Sequence, residues 1–116
     1  MVAAALLGGC VVESSPPRPP PDTEIGFAPG LNLGQACGAQ LTGWQATMRE
    51  DGSTVTGGCG DELIFGALRP NTQYTFDIEG FVGARLCWQG SCGVPTQGGI
   101  RTYGDCSAQI QHLCGF

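Results

Sequence analysis

Leu68-Arg69-Pro70-Asn71-Thr72-Gln73-Tyr74-Thr75-Phe76-Asp77-Ile78-Glu79 decides the fold class of this chain. Tyr74, Phe76 and Ile78 alternate with Gln73, Thr75, Asp77 and Glu79. An apolar period of two predicts a half-buried strand, because successive side chains on a strand point to opposite faces. Pro70 and Asn71 ahead of it are turn formers. Upstream, Leu41 to Arg49 alternates again, with Trp44, Ala46 and Met48 on one face. Glu50-Asp51-Gly52 closes that strand with a hairpin-type turn. Further short strands are predicted over 54–56, 62–65, 85–88 and 99–103. Residues 25–40 are glycine-rich and weakly patterned. No stretch of helical length keeps a 3.6-residue period, and Ser107 to Leu113 suits one or two turns at most. Together these predict one all-β domain over residues 25–116, a small antiparallel β sandwich.

The stretch Leu-x-Pro-x-Thr-x-Tyr-x-Phe at 68–76 resembles the corner between the E and F strands of fibronectin type III and related immunoglobulin-like sandwiches. That resemblance implies that the Tyr74 hydroxyl bonds back to the backbone of the turn and that Leu68 packs beneath it. It covers residues 41–83 well. It also makes 41–49 the C strand and 99–103 the closing G strand.

The N-terminal third reads differently. Val2 to Leu7 is a six-residue apolar run, far short of the ~20 residues that span a bilayer. Leu7-Gly8-Gly9-Cys10 follows, and resembles the lipobox of bacterial lipoproteins. The resemblance implies a diacylglyceryl group on the Cys10 sulfur and cleavage just before it, so that residues 1–9 are a signal peptide. Only Met1 precedes the run where that family carries Lys or Arg, so the signal is expected to be truncated at its start. Residues 10–24 are then the lipidated cysteine and a disordered, proline-rich linker. Pro16, Pro17, Pro19, Pro20 and Pro21 favour extended polyproline II, which advances ~3.1 Å per residue. Val11 after the cysteine, in place of Asp, implies sorting to the outer membrane. Several acyl chains on one cysteine would hold firmly, since each buried CH₂ contributes ~0.8 kcal/mol.

Seven cysteines are an odd number. With Cys10 given to lipid, Cys37, Cys59, Cys87, Cys92, Cys106 and Cys114 remain, an even set that reads as three disulfides in an exported domain. Six cysteines allow 15 connectivities. The expected one joins sequence neighbours: Cys37–Cys59, Cys87–Cys92 and Cys106–Cys114. Zinc on Cys106, His112 and Cys114 is the weaker alternative, because zinc sites usually pair cysteines two to four apart.

Charge narrows the partners. The net charge is −5, lysine is absent and the five arginines are dispersed, so no cationic patch addresses nucleic acid phosphates. His112 is the single histidine, and no Gly-x-Ser-x-Gly nucleophile turn accompanies it. No catalytic residue, metal or cofactor is expected. Cys87-Trp88-Gln89-Gly90-Ser91-Cys92 is the one candidate binding element, a disulfide loop presenting Trp88 and Gln89. Against it stands the plainer expectation that Trp88 packs on the sandwich edge. The leading reading is a non-enzymatic envelope lipoprotein that contacts the membrane through its lipid and binds an unknown protein or glycan. The alternative is a small secreted protease-inhibitor-like domain offering the 87–92 loop as a rigid strand.

Overall fold

The computed structural model describes residues 23–36 and 40–114, so Cys10, the proline run and Cys37 lie outside the described residues. In chain order the elements are β1 (Glu24–Phe27), helix α1 (Pro29–Leu33), a 3-10 turn (Gly34–Ala36), β2 (Gly43–Met48), β3 (Thr54–Gly57) and β4 (Leu63–Phe65). Then come β5 (Gln73–Val82), β6 (Arg85–Pro95), β7 (Arg101–Tyr103), a second 3-10 turn (Ser107–Gln109) and β8 (Gln111–His112).

The alternating stretch at 73–79 lies in β5, the middle of a five-stranded sheet ordered β3-β2-β5-β6-β8. Its partners β2 and β6 both run antiparallel to it. The smaller sheet is ordered β4-β1-β7. The domain is therefore an all-β sandwich of two sheets.

The apolar halves of the alternating strands meet between the sheets. Phe27 and Phe65 of the smaller sheet both pack against Phe76 of the larger one, with centroids 4.8 and 4.9 Å away and tilted rings. Ile25, Leu63, Trp44, Ala46 and Ile78 complete a core from which water is excluded. Trp44 satisfies its indole N–H on the Gly58 carbonyl at 3.1 Å, so burying it leaves no donor unpaired.

Several expectations change. Glu24, assigned to the linker, is the first residue of β1, and its carboxylate meets Arg101 at 2.8 Å. The weakly patterned 25–40 region holds β1 and α1. The short strand expected at 85–88 runs on to Pro95. The closing strand at 101–103 joins the smaller sheet, parallel to β1, whereas every other strand pair among the described residues is antiparallel. Residues 96–100 carry the chain from one sheet to the other, which frees β7 from hairpin direction. Thr96 holds this crossing: its hydroxyl donates to the Arg69 carbonyl at 2.6 Å, and its N–H donates to the Thr72 carbonyl at 2.9 Å.

The nearest-neighbour disulfide map is also corrected. Cys87 bonds Cys114, and Cys92 bonds Cys106. Cys87 and Cys92 share strand β6. Five residues of strand separate their Cα atoms by roughly 16 Å, more than twice what a disulfide spans. The observed Cα separations are 5.0 and 5.3 Å. Both bridges fasten the C-terminal segment onto β6. Cys59 is disulfide-bonded as well; its expected partner, Cys37, lies outside the described residues.

Candidate binding surfaces

Trp88 lies at the inner face of β6, opposite Gly80 of β5, and is only 7% exposed. Its ring packs where a Gly80 side chain would stand: a Cβ there would come 3.2 Å from Trp88 Cε3. On its other flank it stacks on His112 of β8, centroids 4.8 Å apart and planes 4° from parallel. Trp88 is thus a wall of the sandwich edge, as the plainer expectation had it. Gln89 is exposed but points to the opposite face, where β6 pairs with Gln111 of β8. The two residues do not form one surface.

The disulfide loop that was to present them does not form, since 87–92 lies within strand β6, paired with β5 from Trp88 to Cys92 and with β8 at Trp88 and Gln89. The inhibitor-like alternative thereby loses its geometric premise. A shallow cavity of about 320 Å³ remains beside Trp88 and His112, walled by Leu31, Leu33 and Ile110. The zinc alternative has no thiolates to use, because Cys106 and Cys114 are both in disulfides. Among the described residues no three His, Cys, Asp or Glu side chains gather as metal ligands.

The outer face of the larger sheet is polar and internally bonded. Arg49 donates to both carboxylate oxygens of Asp77, at 2.8 to 3.2 Å, and the Ser91 hydroxyl donates to the same carboxylate at 2.6 Å. The Arg49 hydrogen bond, ahead of that from Ser91, holds the Asp77 carboxyl below the usual carboxylate range. Gln45 donates to Glu79 at 2.6 Å beside it. On the smaller sheet, Tyr103 crosses over Gly26 of β1 and donates its hydroxyl to Glu62 at 2.9 Å. A Cβ at position 26 would stand 3.0 Å from that ring, so the glycine lets it lie close across the sheet.

A second concavity was not anticipated. A groove of about 730 Å³ opens at one end of the sandwich, between the β2–β3 turn and the segment joining β4 to β5. Met48, Ile64, Phe65, Leu68 and Tyr74 make its apolar floor and walls. Its rim is charged at two places: Glu50 and Asp51 on the β2–β3 turn, and Arg69 on the opposite lip. Hydrogen bonds from Ser53, hydroxyl and then backbone N–H, hold the Asp51 carboxyl below its ordinary range. The Glu50 carboxylate accepts the Thr75 N–H at 3.0 Å, which fixes the acidic turn against β5. Tyr74 joins the two rims: its hydroxyl accepts the Arg69 N–H at 3.1 Å, and the next residue along holds Glu50. The turn at 50–52 looked like an ordinary solvated hairpin end; only the tertiary fold makes it one wall of a groove. No family model matches the chain, and neither curated proteins nor solved structures match it.

Proposed function

We propose that this chain is a non-enzymatic envelope lipoprotein, anchored through Cys10 and presenting its β sandwich for contact with a protein or glycan. The observation that carries this reading is the use of its sulfurs. Cys87–Cys114 and Cys92–Cys106 are disulfides and Cys59 is disulfide-bonded too, which fits a domain matured outside a reducing compartment. Seven cysteines leave one over, and Cys10 stands in Leu-Gly-Gly-Cys, a sequence suited to acylation. The five prolines between 16 and 21 supply a spacer between membrane and domain. On this reading the outer membrane is the destination.

Within the same reading the domain is related to fibronectin type III sandwiches. The Tyr74–Arg69 hydrogen bond and the β3-β2-β5-β6 order support that kinship. The parallel β7 and the paired cysteines depart from it.

The test is incorporation of labelled palmitate in cells producing the chain, with Cys10→Ser as control. Label that disappears with the substitution supports the anchor. Label that survives it, or is absent from the unaltered chain, sinks it.

A further inference from the structure

Strand β3 is an edge of the larger sheet: among the described residues it pairs with β2 alone. The register shows which of its backbone groups are unspent. The Met48 N–H donates to the Ser53 carbonyl at 2.9 Å, so these two form a hydrogen-bonded pair. By alternation so do Ala46 with Val55 and Trp44 with Gly57. The N–H and C=O groups of Thr54 and Thr56 therefore point away from β2, out of the sheet edge. Native edges are blunted by charged side chains, proline, a bulge or brevity. Thr54-Val55-Thr56-Gly57 has no charge and no proline, and its register with β2 runs without a shift. Its one defence is its length of four residues. The edge also adjoins the groove, since half-buried Val55 lines it with Ile64 and Phe65. Exposed carboxylates flank both ends. Asp51 accepts the Ser53 N–H at 2.8 Å just ahead of the strand, and a Cβ on Gly57 at its close would lie 2.9 Å from the Asp61 Cβ.

We propose that this edge receives an extended segment of a partner protein as one more antiparallel strand, with an apolar residue at the segment's centre and Lys or Arg at both of its ends. Thr54 and Thr56 each exchange two backbone hydrogen bonds with it. The partner residue opposite Val55 shares Val55's face, because directly opposed side chains stand on the same side of a sheet, and it enters the groove's apolar lining. The terminal cations meet Asp51 and Asp61. Charge speaks against a second copy as the occupant. Antiparallel pairing of β3 with itself sets Asp51 of one copy beside Asp61 of the other, and the chain has a net charge of −5 with no lysine to offset it. The proposal deepens the protein-contact part of the function proposed above and rests on that part, but not on the anchor: strand addition and palmitate labelling fail separately.

Nuclear magnetic resonance of the oxidised full chain carrying Cys10→Ser, titrated with the peptide Lys-Val-Thr-Ile-Thr-Val-Lys, tests the strand addition without acylation. Expected are amide shifts centred on Thr54 to Thr56 and slower hydrogen exchange at Thr54 and Thr56. The same peptide with Glu at both ends should bind about tenfold more weakly, since two exposed ion pairs become repulsions. N-methylation of the peptide's two Thr amides, which face the edge, should abolish binding. N-methylation of its Ile amide, which faces away, should spare most of it. Thr56→Pro removes a donor that β2 does not use, so that variant should fold and not bind. Binding indifferent to the end charges, or surviving methylation of the Thr amides, would overturn the proposal. So would the absence of shifts at millimolar peptide. Slow exchange at Thr54 and Thr56 in the peptide-free chain, lost on dilution, would also overturn it by placing a second copy on the edge.

Discussion

The Tyr74 hydroxyl accepts the Arg69 N–H at 3.1 Å, tying the start of β5 to the turn five residues upstream. Aromatic ring and hydroxyl have separate jobs here. The ring is buried and survives a change to Phe, whereas the bond does not. Tyr74→Phe leaves a partly buried N–H without its acceptor and is expected to cost about 1–2 kcal/mol. Urea unfolding should show a lower midpoint with an unchanged slope. An unchanged midpoint would mean the hydroxyl does not hold the turn.

Two residues of the same turn, Ala67 with φ 56° and Asn71 with φ 51°, occupy the left-handed region. Asn tolerates it, but Ala has a Cβ that crowds the following carbonyl, at roughly 1–2 kcal/mol. Ala67 is exposed, so its side chain contributes little packing. Ala67→Gly relieves the strain and gives back part of the gain as unfolded-chain entropy. The expected net effect is a stability increase of up to about 1 kcal/mol. Ala67→Val, bulkier at the same φ, should lower the melting temperature.

The Cys87–Cys114 bridge spans 27 residues of sequence and Cys92–Cys106 spans 14. On the chain-entropy model the longer loop restrains the unfolded chain more, by about 3.6 kcal/mol against ~3.0. Cys87→Ser with Cys114→Ser is therefore expected to destabilise more than Cys92→Ser with Cys106→Ser. Peptide mapping under non-reducing conditions should recover residue 87 linked to 114 and residue 92 linked to 106. Recovery of an 87–92 link would contradict β6.

What the sequence revealed and what it hid follow one rule. β5 and β2 were legible because each has one dry and one wet face, so burial writes itself as alternation. In β6 the code breaks. The register shifts at Gly80/Phe81, which puts neighbouring Cys87 and Trp88 both inside. Its next inward position is Gly90, whose missing side chain admits the backbone of the second 3-10 turn; a Cβ there would lie 2.7 Å from the Ile110 Cα. β1 was hidden for another reason: Gly26 on its outer face is roofed by Tyr103 and Ile64, so the strand is buried on both sides. The groove and the disulfide map join residues from separate segments, and no local pattern encodes such meetings.

Asp77 makes stability depend on acidity. Arg49 and Ser91 depress its folded pKa below the ordinary value of ~3.9, so its contribution is present above that value. It is lost as pH falls through the folded pKa. The side chain is 34% exposed and screened, so the effect is modest. Asp77→Asn is expected to lower stability at pH 7. Its deficit against the unaltered chain should shrink as pH falls below the ordinary carboxylate value and the native carboxylate protonates. A deficit constant across that fall would mean the ion pair contributes nothing. High salt should reduce the deficit at pH 7.

Gly104 sits where the two sheets and the C-terminal segment converge. A Cβ there would overlap the Phe27 ring at Cε1 and come 2.8 Å from Val94 Cγ2, both core side chains. The backbone has no room to retreat. The Gly104 N–H donates to the Gly26 carbonyl at 2.9 Å, and its own carbonyl accepts from Asn32 Nδ2 at 3.2 Å. Asn32 in turn accepts the Cys106 N–H at 2.8 Å, so any shift of Gly104 also disturbs the residue bonded to Cys92. Gly104→Ala is therefore an overpacking substitution and is expected to cost about 1–3 kcal/mol. Phe27→Leu makes a cavity beside the same position. A double-mutant cycle should show the pair less destabilised than the sum of its parts, because the added methyl enters space that the missing ring atoms leave. Strict additivity in calorimetric melts would place Gly104 away from Phe27 and break the core arrangement described above.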